Sequence, residues 1–328
     1  MYSSPKDSNI ISVNTTNSIS YNQPNFDPYT VWNPNAITIA DSSIIGSFPH
    51  GIFIDKNNTI YVPGRYKLGI FIWRNDSFTP TKTISTNSMY LDDIFVSSNG
   101  DIYTSNYNSP FSINKWTSNG SNSTSTIAYS DGEAYGMFID NNNTLYFSCR
   151  DKHKVVSKPL SSSSNVLTIV AGTGQNGNAP NMLNRPHGIF VDTNLDLYVA
   201  DADNHRIQLF PFGQLNATTI AGSGSINVTI SLNTPIEIVL DADKYLFIVN
   251  FYNHRIIGSG PNGFRCIIGC TGVSGSLSNT LNNPSSMAFD TFGNIFVVDQ
   301  WNSRIQKFIR LNNTLGKYFS TEYLNLKI

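Results

Sequence analysis

One short pattern recurs six times along the 328-residue chain, and it restricts the fold more than any other feature. Each copy begins with a short apolar run that usually closes on aspartate, and an aromatic residue stands six positions after that run. Aromatic residues make up 12% of the chain, so six of them at one fixed offset do not arise by chance. The runs are GIFID (51–55), DIFVS (93–97), GMFID (136–140), GIFVD (188–192), EIVLD (237–241) and SMAFD (286–290), and the aromatic residues are Tyr61, Tyr103, Tyr146, Tyr198, Phe247 and Phe296.

The residues between each run and its aromatic partner predict a β-hairpin. They form short polar turns such as DKNNT and DTFGN, and Asn, Gly and Asp are residues that tolerate positive φ in tight turns. A third apolar run follows, clearest in NHRIQLF (204–210), and a fourth closes the unit, as in TTIAG (218–222). Four strands in a unit of roughly 45 residues, repeated six times, predict an all-β fold: a six-bladed β-propeller of four-stranded antiparallel blades.

The two ends of the chain supply the closure of the ring. The last repeat provides three strands before residue 310, whereas NAITIAD (35–41) has the pattern of a fourth strand with no partner before it. We expect this N-terminal strand to complete the sixth blade, because closure removes exposed sheet edges. The propeller is therefore assigned to residues 35–310, with 1–34 as a flexible N-terminal extension and 311–328 as a C-terminal tail without an assigned structure.

A glycine-rich segment, GTGQNG (172–177), suggests another interpretation. It follows a strand-like run, and Asp192 stands twenty residues after its first glycine, which is the spacing of a dinucleotide-binding fingerprint. That fingerprint requires a helix at the third glycine, but the following residues (178–188) contain two prolines and no helical pattern. We therefore expect these glycines to form the turn between two blades.

Two Asn-His-Arg triplets, at 204–206 and 253–255, give the chain a resemblance to a known family. Together with the strand patterns on either side, they resemble the NHL-repeat family over most of the chain. The match is fullest over residues 183–224 and poorest in the second repeat. This resemblance implies the same six-bladed propeller.

Comparison of the repeats with one another predicts a structural role for the triplets, their histidines included. The arginine of each triplet lies five positions after an Asp or Asn, and Cys149 occupies that Asp/Asn position in the third repeat. We expect Cys149 to be a packed thiol rather than a nucleophile. Ion pairs between neighbouring strands are expected for Asp201 with Arg206 and for Asp299 with Arg304, and a neutral version for Asn250 with Arg255.

The resemblance also implies a binding surface, because propellers of this kind bind ligands where the innermost strands begin, around the mouth of the central channel. The polar residues at the start of the six innermost strands are more numerous than packing requires, although residues on a rim are also polar because they face water. The candidate binding residues are His50, Asp92, Asp93, Tyr135, His187 and Glu237.

An enzyme is the alternative hypothesis. Peptide-amidating lyases resemble this fold and hold zinc in the channel through histidines of alternate blades, which leaves His50 and His187 as weak metal candidates. These two lie three blades apart and are expected to face each other across the ring. Lactonase-like propellers hold calcium with channel carboxylates, which Asp92, Asp93 and Glu237 could imitate. No catalytic residue and no cofactor are assigned, because no complete zinc set and no nucleophile motif is found.

A non-catalytic binding scaffold is the preferred hypothesis, with a protein or peptide as the ligand at the channel mouth. Family members that act in ubiquitin ligation carry Cys/His-rich zinc segments, and this chain shows none. The formal net charge of −1 argues against nucleic acid, whose binding requires a basic surface. No apolar run is long enough for a membrane span. We expect a monomer.

The three cysteines bear on the compartment. Cys266 and Cys270 lie too far apart in an extended strand for a disulfide, but a turn at Gly269 would bring them together; a disulfide and two buried thiols both remain open. No signal peptide is visible. The Asn-x-Ser/Thr sequences carry little weight, because a chain so rich in these residues forms them by chance. Low charge and the cysteine pair favour an extracellular protein, with the cytoplasm as the alternative.

Overall fold

The computed structural model describes residues 19–74, 77–117, 124–226 and 229–311. They form six four-stranded antiparallel sheets arranged as a ring, which confirms the predicted six-bladed β-propeller. Besides the strands, these residues form one short helix, α1 (Ser42–Ile45), and four three-residue 3-10 turns. No helix among them is long and apolar enough to cross a membrane.

Each blade runs from an innermost strand at the channel to an outermost strand at the rim. Blade 1 contains β2 (Phe53–Ile54), β3 (Ile60–Pro63), β4 (Ile70–Trp73) and β5 (Lys82–Ile84); blade 2 contains β6 (Leu91–Val96), β7 (Ile102–Asn106), β8 (Ser112–Trp116) and β9 (Thr124–Tyr129). Blade 3 contains β10 (Ala134–Ile139), β11 (Thr144–Cys149), β12 (Lys154–Pro159) and β13 (Thr168–Ala171); blade 4 contains β14 (Pro186–Val191), β15 (Leu197–Asp201), β16 (Arg206–Phe210) and β17 (Thr218–Gly222). Blade 5 contains β18 (Pro235–Leu240), β19 (Leu246–Asn250), β20 (Arg255–Gly258) and β21 (Arg265–Ile268); blade 6 contains β22 (Ser286–Phe289), β23 (Ile295–Asp299), β24 (Arg304–Phe308) and β1 (Ile37–Ala40).

The aspartate that closes the recurring run builds the first hairpin of a blade. In blade 4, Asp192 Oδ1 accepts hydrogen bonds from the main-chain N–H groups of Asn194 and Asp196, at 2.8 and 3.0 Å. A side-chain oxygen used in this way holds a tight turn without help from the sheet. The same arrangement recurs at Asp55, Asp140, Asp241 and Asp290.

The recurring aromatic residue lies on the second strand of its blade and is buried. Tyr198 pairs with Phe190 of the innermost strand, and Tyr61 pairs with Phe53 in the same register. All six aromatic residues are at most 7% exposed, and burying a large side chain of this kind contributes roughly 1.5–3 kcal/mol each. The pattern that recurs in the sequence thus marks one buried aromatic residue of the core in each blade.

The N-terminal strand closes the ring as predicted. β1 pairs antiparallel with β24, with Ile37 opposite Lys307 and Ala40 opposite Ile305. The two ends of the propeller are thereby joined in one sheet, and no blade is left with three strands.

The histidines of the Asn-His-Arg triplets link neighbouring blades. His205 adopts the left-handed conformation, with φ of 54°, at the turn between the second and third strands of blade 4. Its Nδ1 accepts a hydrogen bond from the main-chain N–H of Thr234, just before the first strand of blade 5. The equivalent bonds join His153 to Arg185, His254 to Asn283 and Ser303 to Phe48.

The arginine of the triplet holds the crossover loop, which explains the glycine-rich segment. Arg206 Nε lies 2.7 Å from Asp201 Oδ2, and its terminal nitrogens donate to the carbonyls of Asn178, Ala179 and Met182. The glycine-rich segment is therefore a turn between blades 3 and 4. Arg304 and Asp299 repeat the arrangement over residues 276–280. Arg255 and Asn250 differ, because both donate to the carbonyl of Ser231 instead of bonding each other.

Residues 19–34, part of the extension expected to be flexible, pack against the face of the ring opposite the mouth. Phe26 and Trp32 are only 7% and 6% exposed, and Trp32 Nε1 donates to the carbonyl of Gly293. Tyr21 places its ring against those of Phe138 and Phe190, at 5.3 and 5.5 Å. The predicted flexibility of residues 1–18 concerns residues outside the described part of the chain, and so does the tail beyond Leu311.

Candidate functional site

Four of the six candidate residues come together at the mouth of the channel, and the other two lie one level deeper. The rings of His50 and His187 stack with their centroids 6.2 Å apart, and the ring of Tyr135 lies 5.6 Å from the first and 4.6 Å from the second. The sequence placed the two histidines on opposite sides of the ring, but their side chains meet over its centre. Three rings therefore close the channel at this end.

Burial favours the neutral form of both imidazoles. His50 and His187 are each 9% exposed. Burial lowers the pKa of His50, against the opposing effect of the Asp92 charge. Burial, and next the charge of Arg150, lower the pKa of His187 well below its usual value. Nδ1 of His187 has no hydrogen-bond partner among the described residues.

Asp92 lies beneath these rings beside a guanidinium that the sequence analysis missed. The closest approach of Arg65 is 3.4 Å, from its Nη1 to Oδ1 of Asp92, whose side chain is fully buried. Neither carboxylate oxygen of Asp92 has a hydrogen-bond partner in the described part of the chain, nor does Nε of Arg65. Buried polar atoms are normally paired, so the mouth retains hydrogen-bonding capacity for water or a ligand.

A second guanidinium stands beside Tyr135. Arg150 pairs with Glu133 at 3.0 Å, and its Cζ lies 5.1 Å from the centroid of the Tyr135 ring. Arg65 and Arg150 occupy the same repeat position, ten residues after the aspartate that closes the recurring run. Alignment of that position across the repeats would have revealed both residues.

One level deeper, two carboxyls occupy the channel where glycines leave space. Asp93 Oδ2 accepts from the main-chain N–H of Met137 at 2.8 Å, which links blades 2 and 3, and Glu237 Oε1 accepts from its neighbour Ile238 at 3.0 Å. A Cβ added at Gly51 would lie 2.9 Å from Asp93 Oδ1, and one added at Gly188 would lie 2.7 Å from Glu237 Oε1. Larger residues at these glycines would displace the acids.

Burial makes both of these acids weak. It raises the pKa of Asp93 to about 7, where the charge of Asp92 adds to the effect. It also raises the pKa of Glu237 well above its usual value, with a further contribution from Asp93. Burial at this level of the channel therefore favours the protonated form of both carboxyl groups.

Beneath the acids lies a mainly apolar cavity of about 80 Å³. Its walls include Ile94, Met137, Ile189 and Met287, and Tyr21 of the N-terminal segment lies at its far end. The rings at the mouth and this segment underneath bound the channel at its two ends.

Among the described residues, no group of three or more His, Cys, Asp or Glu at the mouth could hold a metal ion. The positive charges of Arg150, Arg185 and Arg65 act on His187, and charges of this sign repel a divalent cation. At His50 the negative charge of Asp92 opposes the charges of Arg65 and Arg150.

Around the mouth, one repeat position carries exposed aromatic residues on three consecutive blades. Tyr252 in blade 5, Trp301 in blade 6 and Tyr66 in blade 1 are 52%, 54% and 50% exposed. Each stands eleven residues after the aspartate that closes the recurring run of its blade. We call these three residues the aromatic arc. Blades 3 and 4 have Asp151 and Asp203 at this position.

The cysteines lie away from the mouth. Cys266 and Cys270 form a disulfide with their Cα atoms 5.6 Å apart, and Gly269 makes the required turn with φ of 69°. Cys149 is fully buried, and its Sγ lies 3.3 Å from Oγ of Ser130. Burial raises the pKa of its thiol to about 11, which suits a packed thiol.

Six sheets closed into a ring, with a polar mouth at one end, define the chain as a six-bladed β-propeller. Residues 183–210 match the family model of the NHL repeat, so the fourth blade is an NHL repeat, as its Asn-His-Arg triplet indicated. No curated protein matches the sequence.

Solved structures share the fold at low sequence identity. A protein of unknown function from Bacteroides thetaiotaomicron is 15% identical, covering 84% of this chain and 76% of its own, with a TM-score of 0.69. Virginiamycin B lyase from Staphylococcus aureus is 14% identical over 84% of this chain and 98% of its own, with a TM-score of 0.59. A gluconolactonase from Xanthomonas campestris is 12% identical over 90% and 98%, with a TM-score of 0.61. These likenesses establish the fold alone.

Proposed function

We propose that this protein is a non-catalytic binding scaffold that docks a peptide segment of a partner protein on its channel-mouth face. The observation that carries the proposal is the aromatic arc of Tyr66, Tyr252 and Trp301. The propeller fold does not require an aromatic side chain at this position, because blades 3 and 4 fold with aspartate there. Exposed tyrosine and tryptophan are the residues that contribute most to binding energy in protein interfaces.

A further exposed aromatic residue, Phe48, extends the surface of the aromatic arc. Phe48, which is 45% exposed, lies between blades 6 and 1, with its ring centroid 6.5 Å from that of Tyr66. Its main-chain N–H is held by Oγ of Ser303, so its backbone is fixed relative to blade 6. Rigid aromatic side chains lose little entropy on binding. A partner peptide would therefore meet a preformed surface.

A selection from a displayed peptide library tests the proposal without knowledge of the natural partner. The arc variant is Tyr66→Ser/Tyr252→Ser/Trp301→Ser. Its matched control is Phe78→Ser/Phe212→Ser/Phe292→Ser, since these phenylalanines are 74%, 64% and 69% exposed in loops at the opposite face. Selected peptides are expected to bind the wild type and the control equally in calorimetry, and the arc variant at least tenfold more weakly. Equal binding to all three proteins would refute the proposal.

The neutral imidazoles and weak acids at the mouth favour a second candidate, a lyase-like or lactonase-like enzyme. Such groups could move protons, and the folds of a lyase and a gluconolactonase are similar. The test is elemental analysis and activity assays on lactones and on precursors of amidated peptides, with the wild type and a His50→Ala/His187→Ala variant. Turnover or a stoichiometric metal that the variant loses would support the enzyme over the scaffold.

We also propose that the protein is extracellular and monomeric. The Cys266–Cys270 disulfide supports the first part, because disulfides persist in oxidising compartments. Fractionation of the native cells, followed by thiol labelling with and without reduction, tests it. Light scattering of the purified protein tests the second.

A further inference from the structure

A groove of about 600 Å³ opens between blades 1 and 2 on the channel-mouth side. None of the described residues that line it carries a charge, and amides and hydroxyls stand there beside aromatic rings. The residues that matter most are Asn106, Asn108, Ser112, Asn114, Tyr90 and Tyr129.

Blade 2 lacks the arginine that occupies this place in blades 4, 5 and 6, and the groove lies there. Ser112 pairs with Asn106 in the register in which Arg206 pairs with Asp201 in blade 4. In blade 4 the guanidinium holds a long crossover, residues 172–185, over the blade. In blade 2 the crossover is the short segment 85–90, and no long side chain extends from Ser112. The space is consequently left open.

The polar side chains of the groove are held in fixed orientations. Asn106 Oδ1 accepts from the N–H of Asn108 at 3.0 Å. Asn114 Nδ2 donates to Ser112 Oγ at 3.3 Å, and its Oδ1 accepts from Thr126 Oγ1 at 3.1 Å. A carboxamide has two donor hydrogens and two acceptor lone pairs, so these bonds orient the amides and leave capacity for a ligand.

The aromatic residues supply flat apolar surfaces at the edge of the groove. Tyr129 is 58% exposed. Tyr90 is half-buried and is fixed by the rings of Tyr107 and Tyr66, at 5.5 and 6.2 Å. Weak C–H and N–H contacts to an aromatic face favour ligands that present a flat row of C–H groups.

The chemistry of the walls selects one ligand class. A charged ligand would find no opposite charge among the described lining residues, and an apolar ligand would bury amides without replacing their hydrogen bonds, which is unfavourable. A sugar ring presents neutral hydroxyls at its edge and C–H groups on its faces. We propose that the groove between blades 1 and 2 binds a neutral oligosaccharide, built from hexoses or N-acetylhexosamines, free or attached to a protein.

An array of immobilised neutral, sialylated and sulfated glycans tests this proposal, followed by calorimetry with the strongest neutral ligand, free and attached to a glycoprotein. Tyr129→Ala removes the exposed ring. Asn106→Asp/Ser112→Arg rebuilds the pair of blade 4 and fills the groove. Phe212→Ala, at an exposed position on the opposite face, is the control. Thermal unfolding of every variant establishes that it is folded.

Neutral glycans are expected to bind the wild type and the control alike. Binding should fall about tenfold in Tyr129→Ala, which corresponds to about 1.4 kcal/mol, and disappear in the filled variant. A Tyr252→Ser/Trp301→Ser variant should keep glycan binding, which separates this site from the aromatic arc. A preference for charged glycans, the absence of any neutral ligand, or undiminished binding by the filled variant would overturn the proposal.

Discussion

Nδ1 of His205 accepts a hydrogen bond from the main-chain N–H of Thr234, 3.0 Å away in the next blade. The bond joins two neighbouring sheets, and equivalent bonds from His153 and His254 make it a repeated feature of the ring. The histidine of the triplet is thus a hydrogen-bond acceptor between blades.

We expect His205→Ala to lower the free energy of unfolding by about 1 kcal/mol, the usual net contribution of one hydrogen bond. His205→Ser is the matched comparison, because Ser303 accepts the equivalent bond from Phe48 in blade 6. It should lose less stability than the alanine variant. Urea unfolding at neutral pH measures both. If the two variants are equally stable, the bond between blades is not what the side chain contributes.

The arginine of the triplet should matter more than its histidine. Arg206→Met would leave the buried carboxylate of Asp201 without its partner and would free the crossover loop, so a loss of about 3–5 kcal/mol is expected. Asp201→Asn imitates blade 5, where Asn250 occupies this place, and should cost less. Denaturant unfolding gives the energies, and limited proteolysis reports cleavage within residues 176–182. An Arg206→Met loop as resistant as that of the wild type would contradict the assigned role.

Stability should fall as the pH rises from about 4 to 7. Burial raises the pKa of Asp93 to about 7, so the folded protein holds a proton there that the unfolded chain releases near pH 4. The folded state binds more protons in this window, and the free energy of unfolding decreases by up to about 1.4 kcal/mol per pH unit.

Asp93→Asn should flatten this pH dependence, because the amide does not titrate and its oxygen can still accept from Met137. Urea unfolding at several pH values compares it with Asp203→Asn, a matched change at an exposed aspartate. An unchanged slope in Asp93→Asn would show that this acid is ionised in the folded protein throughout.

The disulfide should contribute about 2 kcal/mol, the chain-entropy value for a short loop. Cys266→Ser/Cys270→Ser is therefore expected to unfold at lower denaturant concentration, while Cys149→Ser leaves the disulfide intact. Thiol titration provides a direct count. The native wild type should show no reactive thiol, and the denatured, unreduced protein should show one, from Cys149. Three thiols under those conditions would mean that the pair is reduced.

Much of the fold follows from short-range contacts that can be recognised in the sequence. Asp192 holds its hairpin through groups two and four residues away, and Tyr198 packs on a strand joined by that hairpin. Because such contacts are short-range and recur in every repeat, their spacing predicts strands, blades and closure. The Asp201–Arg206 pair was predictable for the same reason, since its members lie five positions apart across one turn.

The candidate functional site depends on contacts between blades, and the spacing of residues within one repeat does not predict such contacts. His50 and His187 meet because the innermost strands converge at a narrow mouth. Side chains from opposite blades therefore reach each other, and the centroids of these two imidazole rings are 6.2 Å apart. Tyr21 occupies the far end of the channel because that end is lined by aromatic residues of several blades, which are together only after closure. The groove beside Ser112 likewise exists only where two blades and a short crossover meet. The repeat period by itself determined the propeller, whereas the packing of six unlike copies around one axis decided what its faces present.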